Sequence, residues 1–139
     1  MAVLLDDNAL SLPQGALIRT PRQGGIYYHY GVHLGFGDVF EMAGDQAKDI
    51  ATARTRIVPI ATFRGGQRVE VVSLNEPTYS PEVLVMRAIA MRGRGGYSLL
   101  NNNCEHVARE LVTGRSISNQ IERLALVVAV LTLIVLARA

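Results

Sequence analysis

Several residue types that carry chemistry or cross-links are scarce in this sequence. Its 139 residues include no tryptophan, one cysteine (Cys104) and one lysine (Lys48). A single cysteine cannot form an internal disulfide, and it excludes zinc sites built from several cysteines. No cluster of His, Cys and carboxylate residues has metal-ligand spacing, so we expect neither a metal nor a cofactor. Residues 1–7 carry no positive charge beyond the amino terminus and predict no secretory signal.

Neither sign of charge is in large excess, because 14 basic and 12 acidic residues give a net charge of only +2. Proteins that bind nucleic acid cluster basic residues on one face, and this small excess does not indicate such a partner. Apolar residues make up 49% of the chain and charged residues 19%, which is typical of one globular domain with a core.

The order of the patterns, strands first and helices later, predicts an α+β fold. Residues 1–14 are expected to be an irregular lead-in, and residues 43–56 a loop. Gly35 and Gly37 flank one residue and predict a tight hairpin turn. Strands are expected at 16–20, 26–34, 38–42, 57–63 and 69–73.

Three helices are expected in the second half of the chain. Ser80 is a favoured N-cap, Pro81 suits the first helical position, and this helix ends at Gly93. A second helix runs from Cys104 to Gly114, and a third begins near residue 118 and continues into the tail. The apolar residues that recur at helical spacing in the first helix are Val83, Met86, Ile89 and Ala90.

The cysteine lies at the start of the second predicted helix. Asn103 is a favoured N-cap, so Cys104 falls in the first turn, where backbone N–H groups lack helical partners. The partial positive charge there favours a thiolate, and the same N–H groups can hold a developing oxyanion. The alternative is a buried and inert cysteine.

Two histidines share one face of the predicted strand 26–34. His29 and His33 are four residues apart, and the hairpin turn places Gly31 opposite Glu41. Glu41 then lies on the same side as His29, where a carboxylate can orient an imidazole that accepts the thiol proton. His33 is the rival for the role of base or of orienting group. The alternatives are that His33 is a solvated residue near the turn and that Glu41 is an exposed strand carboxylate. We interpret His106 as a polar surface or capping residue.

The C-terminal segment contains an uncharged apolar run of fourteen residues, from Leu124 to Ala137. As a helix it measures about 21 Å, against about 30 Å for a bilayer core. It is either a short membrane anchor, with the domain facing the cytoplasm because more arginines precede the run than follow it, or a buried helix or subunit contact. Four arginines form either a basic surface for lipid headgroups or an anionic substrate, or a set of solvated loop residues: Arg54, Arg56, Arg64 and Arg68.

Three patches carry a resemblance to a known family. Residues 13–18 lead to Tyr28-His-Tyr-Gly-Val32, the run Tyr97-Ser-Leu-Leu-Asn-Asn-Asn-Cys-Glu-His106 surrounds the cysteine, and residues 115–121 follow it. With them the chain resembles, over about residues 15–120, the lecithin:retinol acyltransferase family, which includes the H-rev107 phospholipase/acyltransferases and is a permuted relative of the NlpC/P60 thiol peptidases.

The resemblance implies a small antiparallel sheet packed on the helix that carries the cysteine. It also implies that Cys104 is the nucleophile and His29 the base, with Glu41 at the position where the family usually has a second histidine. The implied reaction passes an acyl group from a glycerophospholipid ester through an acyl-cysteine to water or to another acceptor. The alternatives are an NlpC/P60-type amidase or peptidase, and a non-enzymatic membrane or interaction protein that retains the fold. In this scheme residues 1–14 are the lead-in, 15–120 the catalytic domain and 121–139 the hydrophobic tail.

Overall fold

The computed structural model describes residues 2–4, 12–44, 52–96, 103–115 and 119–138, with the backbone alone for 2–4 and 119–125. Six strands form one sheet in the order β1-β6-β2-β3-β4-β5, and all neighbours are antiparallel. The predicted α+β fold is confirmed. The strands are β1 (Ala2–Leu4), β2 (Leu17–Arg22), β3 (Tyr27–Gly35), β4 (Asp38–Ala43), β5 (Arg54–Pro59) and β6 (Val69–Val71).

Four helices accompany the sheet among the described residues: α1 (Ile60–Arg64), α2 (Pro81–Met91), α3 (Cys104–Thr113) and α4 (Asn119–Ala137). The predicted start of α2 is confirmed, because the Ser80 side chain accepts a hydrogen bond from the Val83 N–H. The predicted end of α3 is also confirmed, since Gly114 closes it with a φ of 77°, a conformation that suits glycine.

The sheet has an apolar core on each face. On one face, Val32 of β3 and Phe40 of β4 pack against Val107 and Leu111 of α3, and all four are completely buried. On the other face a smaller cluster surrounds Phe63 of α1. Since side chains alternate along a strand, His29, Gly31 and His33 lie on the α1 face with Glu41, whereas α3 covers the opposite face.

The β3–β4 hairpin has the predicted register. Gly31 lies opposite Glu41, and the turn contains Gly35, Phe36 and Gly37, all with positive φ. The β3–β4 ladder ends at the Gly31–Glu41 pair, so β3 runs on through Tyr28 with only β2 beside it. This is the point at which α3 reaches the sheet.

Four predictions of secondary structure were wrong. Residues 2–4 form an edge strand within the predicted irregular lead-in. Residues 54–56 belong to β5 and not to a loop. Residues 60–63 are helical, because the chain turns at Pro59 into α1. Strand β2 continues through Pro21, which is tolerated because β6 pairs only with Ile18 and Arg19 and leaves that edge of β2 open.

The apolar series that predicted α2 does not face the core. Leu84 and Ala88 are its buried residues, whereas Met86 is 71% exposed and Ile89 51% exposed. The helix itself is as predicted, but its apolar residues surround most of its circumference, so their spacing did not identify the inward face.

The predicted third helix is present as α4, but its described side chains, from residue 126 to residue 138, are exposed. The alternative of a C-terminal helix buried within this chain was therefore wrong. Among the described residues, no helix combines the length and the apolarity needed to cross a membrane. The predicted transmembrane anchor and the predicted cytoplasmic orientation are not supported.

Candidate active site

The sulfur of Cys104 lies at the N-terminus of α3, beside the backbone of β3. Asn103 is the N-cap, and its side-chain oxygen accepts a hydrogen bond of 2.8 Å from the His106 N–H. Cys104 Sγ lies 3.9 Å from the carbonyl oxygen of Tyr28, and the backbone N–H groups of Tyr30 and Glu105 face the sulfur. The sulfur thus occupies the gap that opens where β4 leaves β3.

His29 is the side chain of β3 that meets this sulfur. It is buried, and its ring stacks against Phe63 of α1 with 5.1 Å between the ring centroids. Nε2 forms a hydrogen bond of 2.9 Å with Glu41 Oε1, and Cys104 is near enough to the ring to help raise the pKa of His29. Because Nε2 is occupied by the carboxylate, Nδ1 is the ring atom left for the sulfur.

Glu41 holds the imidazole from β4. Its side chain is only 2% exposed, so it needs partners for both carboxylate oxygens. Oε1 takes the His29 ring, and Oε2 accepts a hydrogen bond of 2.6 Å from Nε of Arg56, which lies directly opposite on β5. The structure therefore brings Cys104, His29 and Glu41 together, with Arg56 bound to the second oxygen of the carboxylate.

Each of these three groups shifts the pKa of its neighbours toward their charged forms. Burial alone would lower the pKa of His29, but the hydrogen bonds and charges of Cys104 and Glu41 raise it to about 9. Burial alone would raise the pKa of the Cys104 thiol, but His29 and the two facing N–H groups hold it below its usual value. The pKa of Glu41 is lowered against its own burial by His29 and Arg56. The arrangement favours a thiolate beside an imidazolium at neutral pH.

The other two histidines lie outside this chain of contacts. His33 is buried near the hairpin turn, where Nδ1 binds the Pro13 carbonyl at 3.1 Å and Nε2 accepts from the Gly37 N–H at 3.3 Å. It does not contact His29 and has a local structural partner at each nitrogen. His106 is 7% exposed, so its interpretation as a surface residue was wrong. Its side chain lies near the Arg94–Glu110 ion pair.

Arg56 is the residue of this site that sequence analysis missed. It was grouped with three other arginines as a solvated or surface residue, because the segment before it shows no strand pattern. No local signal in the sequence could have found it, because its place opposite Glu41 depends on how β5 pairs with β4. Among the described residues no three His, Cys, Asp or Glu side chains group closely enough to hold a metal ion.

Comparison with known proteins identifies the family of this chain. The family model described as "Lecithin retinol acyltransferase" matches residues 11–117, and the chain belongs to that family. It is also similar to the human protein named "Phospholipase A and acyltransferase 2", with 32% identity over 81% of this chain and 80% of that protein. The matched region contains Cys104, His29, Glu41 and Arg56.

Proposed function

We propose that this protein is a thiol-dependent acyltransferase and phospholipase A that acts on acyl esters of glycerophospholipids through an acyl-cysteine intermediate. The observation that carries the proposal is the arrangement of Cys104 at a helix N-terminus, near the imidazole of His29, which forms a hydrogen bond with Glu41. Membership of the family and the activities named for the human relative support it. In this proposal residues 15–120 are the catalytic domain.

The first half of the proposed reaction acylates the enzyme. The Cys104 thiolate attacks the ester carbonyl, and the negative charge that develops on its oxygen is stabilised by backbone N–H groups at the start of α3, around Asn103 and Cys104. As the tetrahedral intermediate collapses, the bond to the glycerol oxygen breaks. The leaving alkoxide takes the proton from Nδ1 of His29, which releases a lysophospholipid and leaves a thioester on the sulfur.

The second half transfers the acyl group. Neutral His29 removes a proton from water, an alcohol or an amine, and that nucleophile attacks the thioester carbonyl. The product is a fatty acid when water attacks, or a new ester or amide when another acceptor does. Cys104 leaves as the thiolate, and the imidazolium beside it restores the starting ion pair. Glu41 stays ionised throughout and keeps the ring oriented toward the sulfur.

The test is turnover of acyl-labelled phosphatidylcholine in mixed micelles by the full chain. We expect lysophosphatidylcholine and fatty acid, and, with phosphatidylethanolamine as acceptor, an N-acylated product. Because the chain has one cysteine, intact-mass analysis after a short reaction is expected to show one acyl group on the protein and none on Cys104→Ala. Thermal melting of the variant provides the folding control.

Two results would contradict the proposal. Equal turnover by Cys104→Ala would remove the thiol from the reaction. Faster cleavage of an acyl amide or a cell-wall peptide than of the phospholipid would favour the amidase or peptidase alternative, which uses the same side chains on a different carbonyl compound.

A further inference from the structure

The buried carboxylate of Glu41 divides its two oxygens between two different partners. Oε1 lies 2.9 Å from Nε2 of His29, and Oε2 lies 2.6 Å from Nε of Arg56. The partners come from the strands on either side of β4, because Gly31 of β3 and Arg56 of β5 both lie directly opposite Glu41.

Neither partner alone fixes the carboxylate. A carboxyl group held at one oxygen can still rotate about its last side-chain bond, because that torsion is soft. With both oxygens bound, rotation would break one of the two hydrogen bonds, and a buried carboxylate oxygen without a partner is unfavourable. Arg56 therefore limits the directions in which Glu41 can present Oε1.

Arg56 differs from Arg54 and Arg64, two of the three arginines with which it was grouped. Nη1 of Arg54 donates to the carbonyl of the adjacent Ala53, and Nε of Arg64 donates to the carbonyl of Gln67, within their own segments. Arg56 instead directs its guanidinium inward from a position where 37% of its side chain is exposed. It is thus partly exposed at one end and bound to a nearly inaccessible carboxylate at the other.

We propose that Arg56 is a positioning residue of the active site, which holds Oε2 of Glu41 so that Oε1 faces the His29 ring. It contacts no reacting atom and acts on the thiol through Glu41 and His29. Among the described residues, the charged groups that face the Glu41 carboxyl are His29 from β3 and Arg56 from β5, while α3 brings Cys104 to the other side of the imidazole. The expected effect on kcat and KM rests on the proposed function, whereas the expected effect on the reactivity of the Cys104 thiol does not.

The test compares Arg56→Met, which removes the N–H donor and the charge, with Arg56→Lys, which keeps a cationic donor. The matched control is Arg54→Met, two residues away on the same strand and the same face and outside the chain of contacts. Each full-length variant is alkylated with iodoacetamide across a pH series, at a temperature where thermal melting shows it folded. The same proteins are assayed with phosphatidylcholine micelles for kcat and KM.

For Arg56→Met we expect the pH midpoint of Cys104 alkylation to rise by about one unit, because a less well held carboxylate supports the imidazolium and hence the thiolate less strongly. We expect kcat to fall about tenfold with KM within about twofold of the wild-type value, as for a group that does not bind substrate. Arg56→Lys should recover most of both losses, and Arg54→Met should match the wild type.

Three results would overturn the inference: an Arg56→Met profile that overlays that of Arg54→Met, a midpoint that falls instead of rising, or an Arg56→Lys variant as impaired as the methionine variant. The failure of the proposed function gives a different pattern. In that case the wild type does not turn over phospholipid, while the alkylation midpoints, which require no substrate, still separate Arg56→Met from its control.

Discussion

Gly31→Ala is expected to strain the sheet at the point that holds His29 and Glu41 on the same face. A Cβ atom built on Gly31 would lie 2.7 Å from Cε2 of Phe63, 2.8 Å from Cγ1 of Val39 and 2.9 Å from the Phe40 carbonyl oxygen. All three distances are well inside van der Waals contact. The two side chains can move by small amounts, but the carbonyl oxygen belongs to the backbone of β4.

The expected cost is an overpacking energy reduced by a chain-entropy gain. Adding atoms to a filled core costs about 1–3 kcal/mol, and replacing glycine in a strand returns about 0.5–1 kcal/mol. The net loss in the free energy of unfolding is then about 1–2 kcal/mol. At about 2.1 cal/mol/K per residue, a chain of 139 residues melts about 3 °C lower for each kcal/mol, so we expect Tm to fall by about 3–7 °C.

Differential scanning calorimetry of Gly31→Ala, Phe63→Leu and the double variant measures this effect. Because Phe63 is the nearest obstacle, the double variant should be less destabilised than the sum of the two single variants. Phe63 also stacks on the His29 ring, so Gly31→Ala should slow Cys104 alkylation at pH 7. Strictly additive losses, or a Tm within about 1 °C of wild type, would show that the sheet is not closed around Gly31 as described.

Three further substitutions give separate expectations. Glu41→Gln removes a charge that helps to raise the pKa of His29 to about 9, so the imidazolium is lost at lower pH and the thiolate forms only at higher pH. The profile of initial rate against pH should therefore narrow by about one unit on each side. An unchanged profile would show that the Glu41 carboxylate does not support the imidazolium. Asn103→Ala removes the N-cap of α3 and should lower the free energy of unfolding by about 1 kcal/mol in thermal or urea unfolding, whereas Asn103→Asp should stay near the wild-type value. If Asn103→Ala were as stable as the wild type, the cap would contribute nothing to stability. His33→Gln should lower the free energy of unfolding by about 1–2 kcal/mol, because it disturbs two partly buried hydrogen bonds to the backbone, but it should leave the pH midpoint of Cys104 alkylation unchanged. A shifted midpoint would show that His33 belongs to the site.

The parts of the site that local sequence rules govern could be predicted. A cap residue and a closing glycine define both ends of α3, and a three-residue turn fixes the register of the β3–β4 hairpin. Once that register is set, a period of two places Glu41 on the side of His29. These inferences need only neighbours along the chain or across one short turn.

The parts that depend on distant pairing could not be predicted. Strand β5 joins β4 after a segment without alternation, so nothing in the sequence indicates that Arg56 lies opposite Glu41. The burial of His106 depends on what packs against that side of α3, and the inward face of α2 cannot be read from a helix that is apolar on several sides. The exposure of α4 likewise follows from how the rest of the chain packs and not from its own composition.

The contact between α3 and β3 joins residues 76 positions apart, Cys104 and Tyr28, and this separation links the chemistry of the thiol to the folded state. An unfolded or partly synthesised chain carries a cysteine with an ordinary pKa near 8.5, because the imidazole, the carboxylate and the capped helix are not yet gathered around it. The reactive sulfur is created only when the helix docks on the sheet. Fast labelling of Cys104 at mildly acidic pH therefore distinguishes folded molecules from unfolded chains, whose ordinary thiol reacts slowly there.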